Sequence, residues 1–307
     1  MTIARESSAR SEIYHLKASG PSNWRLLDPA IERIERARAK GMPVGADVYP
    51  YHASGTGMTS LFPLWALEGG FAETVKRFGD PEMRRTIRRQ ILGDDPQFAC
   101  LLRHAEGAER VMPVGFKSQA LKPLAGRTLD SIARERGTDA LDAAMDLIVE
   151  DGSRIESVFF TMSEENVRKK VALPWTSICS DAGSMAPEGV FLKRMVHPRT
   201  YGAFARVLGK YVREERALSL ELAVRKMSGL PAETLGLKDR GRVAEGCFAD
   251  LAVFDPMAIA DRATFAQPHR YSVGMRHVFV NGVQVLADGE HTGARPGKAV
   301  RGPGYKA

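Results

Sequence analysis

Five side chains of this sequence combine reactive chemistry with a position where α/β proteins gather their working groups. His15 and Lys17 close the run Ile13-Tyr14-His15-Leu16-Lys17, Asp47 and Tyr49 close Val44-Gly45-Ala46-Asp47-Val48-Tyr49, and Asp181 follows Trp175-Thr176-Ser177-Ile178-Cys179. Each run reads as a strand, and the C-terminal ends of parallel strands are where barrels and open sheets place ligands and catalytic groups. Imidazole and carboxylate are metal-competent, and a carboxylate also transfers protons. Plainer readings stand beside these: a single strand histidine is at home in a core with its hydrogen bonds satisfied, and Asp181 ahead of Ala182-Gly183 suits a turn. On residue types alone the reading stops at an α/β protein of hydrolytic character.

The elements that must hold these residues follow from spacing. Ala18-Ser19-Gly20-Pro21 breaks the first strand. A helix is expected next, with Asp28 as its N-cap, Pro29 at its first position, Ile31, Ile34 and Ala37 on one face, and Gly41 at its end. The strand from Val44 then completes a βαβ unit, which implies parallel neighbours and a right-handed crossover. Residues 58–170 are less regular, with helices expected over Glu82 to Leu92 and Asp139 to Val149 and a short strand at Ser157-Val158-Phe159-Phe160-Thr161; so long an excursion reads as a lid or inserted subdomain. Beyond Asp181, Tyr201 to Arg213 and Leu218 to Met227 read as amphipathic helices, the second stopped by Ser228-Gly229-Leu230-Pro231. From about 240 the pattern changes to short strands, with Asn281-Gly282 marking a hairpin. The expected division is therefore 1–239, carrying the 58–170 insertion, and a small β domain over 240–307.

Composition narrows the function classes. With 307 residues, 44% hydrophobic and 26% charged, the chain is ordinary globular material. Its net charge of +7 comes from basic residues scattered among 37 acidic ones, not from a stripe with interleaved aromatics, so no nucleic-acid partner is indicated. Cys100, Cys179 and Cys247 are odd in number and lack CxxC spacing, so they read as reduced thiols. No apolar run approaches a membrane span and Met1-Thr2-Ile3-Ala4-Arg5 shows no apolar leader; the expectation is a cytoplasmic protein without a membrane partner.

A resemblance carries the reading further. The runs His15-Leu16-Lys17-Ala18-Ser19-Gly20, Asp47-Val48-Tyr49-Pro50-Tyr51-His52, Ser180-Asp181-Ala182-Gly183 and His197-Pro198-Arg199-Thr200-Tyr201-Gly202 are similar, in order and wording, to the N-acyl-D-amino-acid deacylases (D-aminoacylases) of the amidohydrolase superfamily. Lys226-Met227-Ser228-Gly229-Leu230-Pro231 and Ala249-Asp250-Leu251 continue the match, which is weakest between about 95 and 160. The resemblance implies an incomplete TIM-type (β/α)8 barrel, about its last three strands, joined to part of a C-terminal β-sandwich. It implies zinc-dependent hydrolysis of the amide bond of small N-acyl-D-amino acids. His15 becomes a zinc ligand and Asp181 the general base, itself near the metal; Lys17, Tyr49 and Arg199 hold the substrate carboxylate, the last with its planar fork. His15 and Asp181 are expected on adjoining strands facing one pocket. His52 and His197 are expected to be structural or solvent-facing, and Cys179 to fill space beside Asp181.

The family pattern also has parts this sequence lacks. It begins with His-x-His on the first barrel strand and adds a bridging cysteine and a further histidine from the strand ahead of the one bearing His15. The seven histidines here, at 15, 52, 104, 197, 269, 277 and 291, include no His-x-His. A catalytic zinc takes three protein ligands and leaves one position open, so the site in this chain is incomplete. The expectation is a truncated chain that is inactive alone. The alternatives are a non-catalytic subunit that completes itself with a separately encoded N-terminal half, and another amidohydrolase activity of the hydantoinase or dihydropyrimidinase kind.

Overall fold

A computed structural model describes residues 2–7, 9–93 and 101–306; Cys100 lies outside them. Three strands form a parallel sheet in the order β1 (Ser11–Ile13), β2 (Val44–Val48), β6 (Thr176–Ile178). Helix Leu27–Ala39 crosses from β1 to β2 and buries Leu27, Ile31 and Ile34 against Val44, Ala46 and Val48. Val167 and Val171 of helix Glu164–Ala172, with Val207, Leu208 and Tyr211, complete that core. The expected βαβ unit is therefore present.

Its start differs from expectation in two ways. A 3₁₀ turn, Pro21–Leu26, runs directly into the helix, so the first helical N–H groups already have partners and Leu26 is the N-cap. Asp28 sits inside the first turn and pairs instead with Lys169 at 2.6 Å. The first strand also ends short of Lys17: it stops at Ile13, because His15 adopts a left-handed backbone, φ 39°, that takes the chain out of the ladder.

Between β2 and β6 the chain builds a second core. Strands β3 (Ser54–Gly57), β4 (Val111–Gly115) and β5 (Glu156–Phe159) form an antiparallel sheet in the order β3-β5-β4. Helices Pro81–Leu92, Leu129–Arg136 and Ala140–Asp151 bury Ile87, Ile91, Ile132, Met145 and Ile148 against Phe78 and Phe159. Asp80 and Asp139 cap two of these helices through their carboxylates.

After β6 comes helix Arg199–Arg206, which passes without a break into a π-helical stretch, Val207–Glu214. One regular helix over Tyr201 to Arg213 is thus replaced by a widened one, and Gly209 lies so close to the Ile259 carbonyl that a Cβ would stand 2.8 Å from it. Ser228 breaks helix Leu220–Met227 as expected, but a new helix, Gly229–Leu235, follows at once. The remaining strands, β7 (Leu251–Phe254), β8 (Met275–Val280), β9 (Val283–Ala287) and β10 (Glu290–His291), make one antiparallel sheet. Asn281 and Gly282 turn the β8–β9 hairpin with φ 49° and 82°, both positive as a type I′ turn requires. No helix among the described residues is long and apolar enough to cross a membrane.

Candidate active site

The C-terminal ends of β1, β2 and β6 bring Lys17, Tyr49 and Asp181 together, and the start of helix Arg199–Arg206 adds Arg199 to this polar cluster. Lys17 Nζ donates to the Tyr49 hydroxyl at 2.8 Å and lies 4.8 Å from the centre of its ring. The Arg199 guanidinium covers the same ring at 4.7 Å, and its Nη1 stands 2.6 Å from Asp181 Oδ2. Two cations thus share one phenol and one carboxylate. The Arg199 side chain is 6% exposed and that of Asp181 16%, so their attraction acts in a weakened dielectric.

One atom in this cluster is left wanting. Nη1 of Arg199 is close to Asp181 but off the line for a hydrogen bond, and it is buried without a hydrogen-bond partner. Buried donors in folded proteins are almost always satisfied, so this ion-paired N–H keeps hydrogen-bonding capacity that an oxygen ligand could take up. Tyr49 adds another donor: burial pushes its hydroxyl well above the ordinary phenol range, so it stays protonated, and with Lys17 donating to its oxygen its own hydrogen is free to point elsewhere. Burial lowers Lys17 to about 8, opposed by the charge of Asp181.

His15 is placed beside this cluster by Asp47. Asp47 Oδ1 accepts the His15 N–H at 2.7 Å and the Cys179 thiol at 3.1 Å, while its backbone carbonyl accepts the Leu16 N–H. One carboxylate at the end of the central strand therefore ties the ends of both outer strands. His15 and Asp181 are not on adjoining strands: β2 lies between β1 and β6. Tyr14 spans the gap, its hydroxyl donating to Asp181 Oδ1 at 2.8 Å and its ring 4.2 Å from that of His15. Both His15 and Asp181 have left-handed backbones, φ 39° and 49°, a strain of about 1–3 kcal/mol each of the kind that collects at functional sites.

The arrangement of metal donors is sparser. Among the described residues no three His, Cys, Asp or Glu side chains are grouped to hold a metal ion. Cys179 does not help, because burial and the bond to Asp47 push its thiol well above the ordinary range, away from the thiolate that zinc prefers. His15 and Asp181 alone fall short of the three ligands a catalytic zinc needs.

Comparison with known proteins matches this picture. Residues 192–286 match the model of an amidohydrolase family. An N-acyl-D-glutamate deacylase of Alcaligenes xylosoxydans xylosoxydans is 33% identical over 301 residues, 98% of this chain and 50% of that protein. A solved D-aminoacylase described by its binuclear metal centre superposes with a TM-score of 0.72 at 32% identity, over 95% of this chain and 50% of its own. The chain is thus similar to N-acyl-D-amino-acid deacylases over nearly its whole length, and part of it matches an amidohydrolase family.

The chain spans about half the length of these relatives. A second of them, a D-aminoacylase from the same organism, is 39% identical over 177 residues, 58% of this chain and 34% of that one. An N-acyl-D-glutamate deacylase of Bordetella bronchiseptica, solved with zinc and a phosphonate mimic of the tetrahedral intermediate, superposes with a TM-score of 0.70 at 30% identity, over 94% of this chain and 50% of its own.

One residue of this site, Tyr14, had no signal of its own in the sequence. Tyr14 sits in the strand run but only the turn at His15 swings it toward Asp181. His197 is structural, as expected of it, yet it is far from solvent: 2% exposed, its ring accepts the Arg199 N–H at Nδ1 and bonds the Ala53 carbonyl at Nε2, both at 3.0 Å. His52, half-exposed, approaches Glu164 at 3.6 Å and stands clear of the cluster.

Proposed function

We propose that this chain is the last three-strand portion of a TIM-type amidohydrolase barrel with its C-terminal β domain, and that it carries the substrate-carboxylate grip and the proton-transfer group for hydrolysis of N-acyl-D-amino acids. The observation that carries this is the orphan Nη1 of Arg199 in a cluster of two cations around Tyr49. Arg199 takes the substrate carboxylate with two N–H groups, Lys17 supplies the second positive charge and Tyr49 donates its hydroxyl hydrogen. The amide then lies toward Asp181 and His15. Hydrolysis breaks the acyl C–N bond; the water oxygen goes to the acyl carbon, and Asp181 passes the proton to the departing amine. Zinc in the homologues would supply an activated water, but His15 and Asp181 are too few to hold it, so this chain is inactive alone.

A second reading, a subunit completed by a separately encoded N-terminal half, draws on the sheet itself. β1 and β6 are both edge strands of a three-stranded parallel sheet, and parallel strands in enzymes of this kind are normally paired on both sides.

The test is binding, followed by NMR, of N-acetyl-D-alanine and of its uncharged carboxamide to the 307-residue protein. The carboxylate should bind more tightly, and Arg199→Ala should abolish the difference. Equal binding of acid and amide overturns the carboxylate grip, and zinc-dependent release of acetate by the purified chain overturns its inactivity.

A further inference from the structure

His197 contributes to no step above, yet it is more completely buried than any side chain that does, and its two ring nitrogens are both engaged. Because Nδ1 accepts the Arg199 N–H, the hydrogen resides on Nε2, where it is donated to the Ala53 carbonyl; this fixes one tautomer. Burial, with the nearby Arg199 charge, lowers the imidazole to about 3, so it stays neutral. Tyr51 and Phe265 hold the ring edge-on at 5.3 and 5.2 Å, and Phe265 belongs to the connection between β7 and β8.

The two bonds join separate parts of the fold. Arg199 opens helix Arg199–Arg206, whose first N–H groups have no helical partner, and Nδ1 satisfies one of them. Ala53 leads into β3, which among the described residues pairs with β5 alone. Gly55, two residues on and therefore presenting its carbonyl to the same edge, accepts Arg199 Nη2 at 3.4 Å. A Cβ at Gly55 would meet Nη2 at 3.4 Å and His197 Cδ2 at 3.6 Å, so both side chains lie directly against this strand.

We propose that His197 is a positioning residue: it fixes the Arg199 guanidinium over Tyr49 by tying the start of helix Arg199–Arg206 to the free edge of the β3-β5-β4 sheet. The aim of the carboxylate grip is then set by the segment between β2 and β6, and a shift of that sheet moves Arg199 through the imidazole. Its role in specificity rests on Arg199 being the carboxylate grip, but the positioning itself can be measured without substrate.

The experiment is labelling of the full chain with phenylglyoxal, an arginine-specific reagent, with rates for Arg199 and Arg206 followed by peptide mass spectrometry. Arg206 lies in the same helix with its side chain 20% exposed and serves as the internal control. His197→Gln keeps a donor for Ala53 and loses the acceptor for Arg199; it should raise the Arg199 rate about tenfold, the factor matching one net hydrogen bond of about 1.4 kcal/mol, and leave Arg206 unchanged. His197→Asn keeps an acceptor where Nδ1 stands and should restore most of the protection. An Arg199 rate unchanged in His197→Gln, an equal rise at Arg206, or an Asn variant no better than Gln each overturns the proposal. Shielding of Arg199 in the native protein by N-acetyl-D-alanine tests the functional reading separately.

Discussion

The Arg199 guanidinium and the Asp181 carboxylate stand 2.6 Å apart, largely buried, yet the nearer nitrogen is not aligned to donate. Charge holds the pair together while geometry leaves its hydrogen-bonding capacity unspent. Asp181 completes its own coordination with Tyr14. A carboxylate ligand at Arg199 therefore competes with Asp181 for charge but not for the best-directed N–H.

That relationship predicts opposite outcomes at its two ends. Arg199→Ala should weaken binding of N-acetyl-D-alanine by about 10- to 100-fold, the loss of charge-assisted bonds worth about 1.5–3 kcal/mol. It should also lower stability, because Asp181 loses the nearer of its two cations and keeps only Lys17. Asp181→Asn should bind the same ligand about 3- to 10-fold more tightly, since its competitor for the guanidinium is gone. Calorimetric titration and urea denaturation of the three proteins check this; weaker binding by Asp181→Asn would show that the pair organises the site and does not compete for it.

The positions of Lys17, Tyr49, Asp181 and Arg199 were legible because each follows a strand run or a motif that dictates local backbone. The same holds for the β8–β9 hairpin, where Asn281-Gly282 offers the required positive φ. What was not legible depends on contacts between distant segments. Asp28 reads as an N-cap locally, but the preceding 3₁₀ turn satisfies the helix and Lys169 claims the carboxylate. His197 before Pro198 looks like a turn residue; only the fold brings Ala53, Tyr51 and Phe265 around it. Tyr14 and Asp47 act across strands, and the order that puts β2 between β1 and β6 is not written in the spacing of either motif.

Gly202 supplies a prediction where two local effects oppose. It lies within helix Arg199–Arg206, and alanine there would gain about 1 kcal/mol of helix propensity. But the new Cβ would meet the Tyr51 hydroxyl at 2.4 Å and Asp261 Cβ at 3.0 Å. Overpacking costs about 1–3 kcal/mol, so Gly202→Ala should lower the thermal midpoint. Because the nearest atom is the hydroxyl, adding Tyr51→Phe should recover part of the loss. A midpoint at or above that of the native protein would mean that the helix shifts freely against the β7–β8 connection.

Lys17 makes the carboxylate grip pH-dependent. Burial lowers its ammonium to about 8, so the positive charge offered to a ligand is present below that value and lost above it. Affinity for N-acetyl-D-alanine should fall as pH rises from about 7 to 9.5, and a bound carboxylate should move the midpoint of the fall upward. Lys17→Met should bind more weakly throughout and show no such decline. A decline that persists in Lys17→Met would assign it to another group.

Global stability should move the other way over part of the same range. Lys170 donates to the Leu16 carbonyl, and Lys226 to the Leu173 carbonyl and the Thr176 hydroxyl at 2.6 Å; burial lowers both to about 7. In the unfolded chain a lysine keeps its proton to about 10.5. Below pH 7 both states carry the proton and the full cost of burying charge is felt. Above pH 7 the folded chain releases it first, the unfolded state binds more protons, and stability rises with pH. The rise slackens near pH 9, where Cys179 in the unfolded chain starts to ionise at its ordinary 9.0 while the buried thiol stays protonated, which offsets part of the lysine contribution. Stability should therefore climb between pH 7 and 8.5, by an amount on the order of 1 kcal/mol per lysine, raising the thermal midpoint, and Lys226→Met should flatten the climb. A midpoint that falls across this interval would mean that these two amines remain charged in the fold. Ligand affinity and stability would then decline together, instead of parting as burial of Lys17, Lys170 and Lys226 requires.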